Sequence, residues 1–176
     1  FIAKYDAYGR FQWARIAGGS GDDKASGIVC DSSGNVYVSG TFQDSINFEG
    51  KTITGRGLTD NFIAKYTSNG EIEWVKTCGG NNTDIAVTNV IDSKGNSMIS
   101  GYYSIVSRFD SIELNSGSTQ LFMAKLGAQE NSSANGYGTL CPSCDVLFTS
   151  AVNGSFYQWQ SKSDNGFDNL VDDSIY

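Results

Sequence analysis

The sequence predicts an all-β repeat fold, and three observations carry the prediction. First, one stretch comes back: FIAKY at 1–5 returns as FIAKY at 62–66 and as FMAKL at 122–126, at spacings of 61 and 60 residues. Self-similarity at a period of this length marks a repeat architecture in which each copy is one supersecondary unit. Second, apolar and polar residues alternate with period two in several short runs per copy, the pattern of half-buried strands. Third, 21 glycines punctuate the runs, and no 3.6-residue periodicity supports a helix.

Residues 1–6 alternate, with Phe1, Ala3 and Tyr5 on one side and Ile2 and Lys4 on the other, so they form a strand. Ala7, Tyr8 and Gly9 make a turn. Residues 10–16 (RFQWARI) alternate again, with Phe11 and Trp13 sharing a face, and Gly18, Gly19 and Gly21 then break the chain. Residues 26–31 (SGIVCD) read as a third strand and 36–41 (VYVSGT) as a fourth, joined by a hairpin turn at 32–35. A polar stretch follows at 43–61, with a short extra strand expected around 52–54.

The second copy matches position by position. Trp13 corresponds to Trp74, Gly18 and Gly19 to Gly79 and Gly80, Asp23 to Asp84, Asp31 to Asp92, Gly40 to Gly101 and Phe48 to Phe109. No gap is needed from Phe1 to Asp110, and one deletion before Phe122 restores the register of the third copy. Four short antiparallel strands per period of about 60 residues describe one blade of a β-propeller. The recurring aromatics Phe1, Trp13 and Phe48 are expected to fill the space between blades, and the Asp-x-x-Gly-Asn turn to close a hairpin by a side-chain-to-backbone bond.

The motif set resembles the SBBP family of β-propeller repeats in the form found in secreted Bacteroidetes proteins. The carriers are F-I-A-K-Y-D-x-x-G-x-x-x-W at 1–13, G-G-S-x-x-D at 18–23 and G-I-x-x-D-x-x-G-N-x-Y-V-x-G at 27–40. The second copy departs at Asn89 for Ile28 and at Met98 for Tyr37. The half-blade 27–40 also resembles NHL-type repeats, which implies that residues 26–31 form the innermost strand and the Trp13 strand the outermost. In that phase the chain holds the outer half of one blade, a full blade over about 26–77, and a last blade without its outer strand. That missing outer strand is expected to come from the N-terminal end of the propeller in the full protein, closing the ring.

The expected organisation is propeller repeats over 1–126, a polar linker over 127–138 (GAQENSSANGYG) and a second unit over 139–176. In the second unit, runs 145–152 and 156–162 alternate, and Asn165-Gly166 marks a turn before a short strand at 167–171. The pattern C-P-S-C-D-V-L-F-T with the later Y-Q-W-Q resembles the opening strands of bacterial immunoglobulin-like domains, which implies a partial sandwich with Trp159 in its core. The chain lacks an initiator Met and stops inside an apparent element, so an internal fragment of a longer protein is expected.

Composition excludes several function classes. A net charge of −7 argues against nucleic acid and anionic membrane as partners. The absence of histidine removes the commonest general base and metal ligand, and no apolar run is long enough for a membrane-spanning helix. Cys141 and Cys144 form a CxxC outside any βαβ pattern. Structural disulfide chemistry in an oxidising compartment is the leading reading, with a zinc site completed from elsewhere and a redox pair as rivals. Cys30 and Cys78 occupy non-equivalent repeat positions and read as buried small hydrophobes, with a bond between them as the alternative.

No cofactor is expected. Calcium is weighed at Asp22, Asp23 and Asp84, which follow glycine-rich breaks, against a turn-capping role for Asp23 and Asp84. Glu71 and Glu73 share a strand face and read as surface, and the recurring Lys4, Lys65 and Lys125 as snorkelling side chains. Asp-Ser-Ile recurs three times and resembles a Bacteroidetes O-glycosylation motif, which implies Ser45, Ser111 and Ser174 as acceptors. The inserts 43–61 and 104–121 differ most between copies, so Tyr102, Tyr103 and Arg108 are the candidate ligand-binding residues, with no catalytic residue assigned. The expected function is a secreted or cell-surface, non-catalytic scaffold that binds protein or glycan. The alternatives are the propeller part of a carbohydrate-active hydrolase or lyase with its active site elsewhere, and a structural spacer.

Overall fold

The computed structural model describes residues 1–93, 95–109 and 112–126, together with the backbone of 159–163 and 166–170. Every regular element among the described residues is a strand. The first repeat contributes β1 (Ile2–Tyr5), β2 (Phe11–Arg15), β3 (Ala17–Gly18), β4 (Lys24–Cys30), β5 (Val36–Phe42), β6 (Ser45–Phe48) and β7 (Lys51–Thr54). The second contributes β8 (Asp60–Tyr66), β9 (Ile72–Gly79), β10 (Ile85–Ile91) and β11 (Ser97–Phe109), and β12 (Ile112–Leu126) carries the third FMAKL.

β4, β5, β8 and β9 pair in that order as an antiparallel meander, which is the full blade. β4 is its inner edge and β9 its outer strand, in the phase the sequence implies. β1 and β2 are the corresponding outer pair of the preceding blade, and β10, β11 and β12 the inner three strands of the following one. β10 lies against β4 and β5, so the inner strands of successive blades are neighbours. The architecture is a β-propeller-type repeat fold.

Local chemistry explains the strand ends. At the β4–β5 hairpin, Asp31 Oδ1 accepts the amides of Ser33 and Asn35, both at 2.9 Å, and Asn35 Nδ2 donates to Asp31 Oδ2 at 2.8 Å. Gly34 supplies the left-handed residue at φ 79°. Asp92, Gly95 and Asn96 rebuild the turn one repeat later. Gly40 recurs as Gly101 because neither position has room for a side chain: a Cβ would lie 2.1 Å from Lys24 O and 2.0 Å from Ile85 O, respectively.

The blades stack face to face, so a central strand is buried on both sides. Phe62, Ala64 and Tyr66 of β8 join a first core with Trp13, Val36, Val38, Phe42, Ile46 and Phe48. Ile63 faces the other way, into a second core with Cys78, Ile99, Tyr103, Phe109 and Phe122. Each core is thus the filling of one inter-blade junction, as the recurring aromatics predict. Phe62 and Phe122 are buried, each against the blade before it, whereas Phe1 is 92% exposed.

Three further differences have physical reasons. β3 and β6 are not expected from local pattern, since two-residue β3 gains its partner some 30 residues away, Ala17 opposite Phe48 and Gly18 opposite Asn47. Cys30 is exposed rather than buried, because its strand is the inner edge of the blade, and both Cys30 and Cys78 are free thiols. The recurring lysines are bonded rather than merely snorkelling: Lys4 donates to Gly34 O at 3.3 Å and Ser68 O at 2.9 Å, Lys65 pairs with Glu73, and Lys125 with Asp92. β13 (Trp159–Ser163) and β14 (Gly166–Leu170) form an antiparallel pair. The linker, Cys141, Cys144, Ser111 and Ser174 lie outside the described residues.

Candidate functional site

The three residues nominated from the variable insert do not form one site. Tyr103 is 2% exposed and belongs to the second core, so its ring is unavailable for stacking on a ligand. Tyr102 is half exposed, with Ile85 and Leu121 as its cross-strand neighbours. Arg108 is ion-paired with Glu113 at 2.8 Å, about 20 Å further along β11 at the usual strand rise. Between them Ile105 sits at φ 66° in a bulge.

The residues that break the repeat converge elsewhere, at the far junction of the full blade. There the tail of β9 is stitched to β11, Cys78 opposite Phe109 and Gly79 opposite Arg108. This repeats the β3–β6 pairing one period on. The filling differs. Cys78 replaces Ala17 and Ser107 replaces Ile46, while Asp60 and Asn61 become Gln120 and Leu121 in the third copy.

Backbone geometry positions each of these side chains. Asp60 Oδ2 accepts the amides of Arg56 at 2.7 Å and Gly57 at 3.0 Å, fixing the turn before β8. Its other oxygen packs on Gly79, where a Cβ would collide with it at 1.8 Å. Asp84 Oδ2 accepts the Gly80 amide at 2.9 Å, as Asp23 accepts that of Gly19 at 2.7 Å. Asn61 is the cross-strand partner of Cys78, so both side chains leave the same face, towards the following blade. Asp60, Asn61, Asp84 and Ser107 are all buried. Asp60 Oδ1, Asp84 Oδ1, Ser107 Oγ and both polar atoms of the Asn61 amide have no hydrogen-bond partner.

Burial dominates the electrostatics. It pushes Asp84 up to about 6, against the pull of the Gly80 amide and the Ser107 hydroxyl and with a smaller push from the Asp60 carboxylate. Burial likewise raises Asp60, partly offset by the amides of Gly57 and Arg56. Burial drives the Cys78 thiol up to about 12, so it stays protonated and is no nucleophile at neutral pH. Among the described residues no three Cys, Asp or Glu side chains converge as a metal-binding group. Asp22 is exposed and pairs with Lys24 at 3.5 Å. The arrangement can hold a proton between two blades. Sequence reading bypassed Asp60, Asn61 and Ser107 because each is an ordinary residue alone. The signal lay in comparing each with its repeat-mate.

Known proteins agree with this architecture. Residues 12–41 match the SBBP β-propeller repeat family, a span running from β2 into β5. An uncharacterized WD repeat-containing protein of Acanthamoeba polyphaga mimivirus is 31% identical over 86 residues. That match takes in 45% of this chain, and the chain spans 6% of the viral protein's length.

Proposed function

We propose that the chain is part of a secreted or cell-surface, non-catalytic propeller scaffold whose inserts bind a protein or glycan ligand. The observation that carries the reading is the contrast between frame and insert. The blades repeat their turns, aromatics and inter-blade stitching, and both inserts keep one hairpin register, Ser45 opposite Thr54 and Val106 opposite Asn115, while the residues they carry differ most between copies. A rigid frame presenting individual inserts is the usual division of labour in binding proteins. The SBBP match and the WD-repeat relative support a scaffold rather than a particular ligand.

Export rests on the family resemblance. Ser45, the one implied glycosylation acceptor among the described residues, is half-buried on β6. The test is a glycan-array screen and a pull-down with the full chain, beside a variant whose 104–121 insert is replaced by the 43–61 insert. Ligand retained by the first and lost by the second supports the reading. Equal binding by both would place recognition outside the inserts.

A further inference from the structure

We propose that Asp84 makes the far junction of the full blade a proton-operated latch, which closes more firmly when that carboxyl is protonated. Asp84 is fully buried, with one oxygen held by the Gly80 amide and the other without a partner. From β8, Asp60 brings a second buried carboxylate with an equally unpartnered oxygen. From β9, Cys78 brings an un-ionised thiol. From β11, the Ser107 hydroxyl and the Ser104 amide donate towards Asp84 and favour its ionised form, against the larger opposing effect of burial. The exposed Arg56 acts on Asp60 from the preceding turn, and Arg108 is already paired with Glu113.

Two buried carboxylates, each with one oxygen lacking a partner, are costly when ionised, because the amides of Gly80, Arg56 and Gly57 return only part of the lost hydration. A proton on Asp84 removes one charge, ends its repulsion with Asp60 and supplies a donor where acceptors lack one. The residues that create this setting are those that depart from the repeat. At the near junction Asp23 Oδ1 also lacks a partner, but that residue is only partly buried, and Ala17 and Ile46 occupy the places of Cys78 and Ser107. The elevated affinity of Asp84 for a proton agrees with this geometry.

The sign follows from linkage. A carboxyl that binds a proton more tightly in the folded state adds stability below its unfolded value, and that stability is lost as pH rises through about 6. Between pH 7.5 and 5 the contribution is about tenfold in the unfolding constant. The experiment is urea unfolding of the full chain at those two pH values, for the native sequence, Asp84→Asn and Asp23→Asn. Native and Asp23→Asn chains should gain about tenfold on acidification relative to Asp84→Asn, whose neutral amide mimics the protonated state. An identical pH response in Asp84→Asn overturns the proposal. Should that variant fail to fold, the Asp84 carboxyl carbon of the native chain is titrated by NMR. A midpoint well above the ordinary aspartate value upholds the latch, and one at or below that value overturns it.

Discussion

The two junctions of the full blade are built on the same frame and filled differently. At the near one, Ala17 and Ile46 close an apolar core around Trp13, Phe48 and Phe62. At the far one, Cys78 and Ser107 stand in the same places, and Asp60, Asn61 and Asp84 bring more buried polar atoms to the seam than Asp23 and the Tyr66 hydroxyl bring to the near one. The frame tolerates this because its geometry is set by backbone pairing, not by the filling: Ala17 opposite Phe48 and Cys78 opposite Phe109 are the same contact one repeat apart. A repeat protein can therefore individualise a junction without changing its shape.

The largest effect should come from the aromatics that both junctions share. Phe122→Ala is expected to cost about 3–5 kcal/mol by leaving a cavity, whereas Phe1→Ala should stay within about 0.5 kcal/mol. Chemical denaturation of the two variants measures what inter-blade packing of this recurring phenylalanine contributes. Next comes Gly79→Ala, whose Cβ would meet an Asp60 carboxylate already tied to two amides, for a loss of about 1–3 kcal/mol. Gly18→Ala meets Asp23 only at 3.4 Å and should cost clearly less, so equal melting temperatures would break the contrast.

A smaller effect, of opposite sign, is expected at the inserts. Ile105 holds a left-handed conformation at φ 66°, where its repeat-mate Asp44 stands at φ 57°. Asp tolerates that region and a β-branched residue does not, so Ile105→Asn should raise stability by about 1–2 kcal/mol. Smallest is Asn61→Leu, which imports the residue of the third copy and removes an unpartnered buried amide. A gain of about 1 kcal/mol in urea unfolding is expected, and a loss would show that the amide is satisfied in solution.

The fold was legible because propeller blades write themselves into sequence twice, once as strand alternation and once as recurrence. Strands β1, β2, β4 and β5 and the Asp31 and Asp92 turns follow from alternation and turn chemistry. β3 and β6 do not, because their pairing is set by residues a whole blade away. The candidate site was harder for the same reason. Tyr102, Tyr103 and Arg108 share one strand, but alternation and a bulge send them to a surface, a core and an ion pair. Asp60 and Ser107 are far apart in sequence, and only the stitching of β9 to β11 brings their strands together.

One 61-residue period counted from Phe1 takes in the outer pair β1 and β2 of one blade and the inner strands β4 and β5 of the next. A segment copied from Phe1 to Asn61 would therefore never enter the molecule as a finished part. Its first strands would complete the blade before it, and its last would await completion by whatever followed. Growth by duplication is self-checking under this rule: each new copy interlocks with both neighbours or leaves open edges, and an array can lengthen without acquiring a loose link.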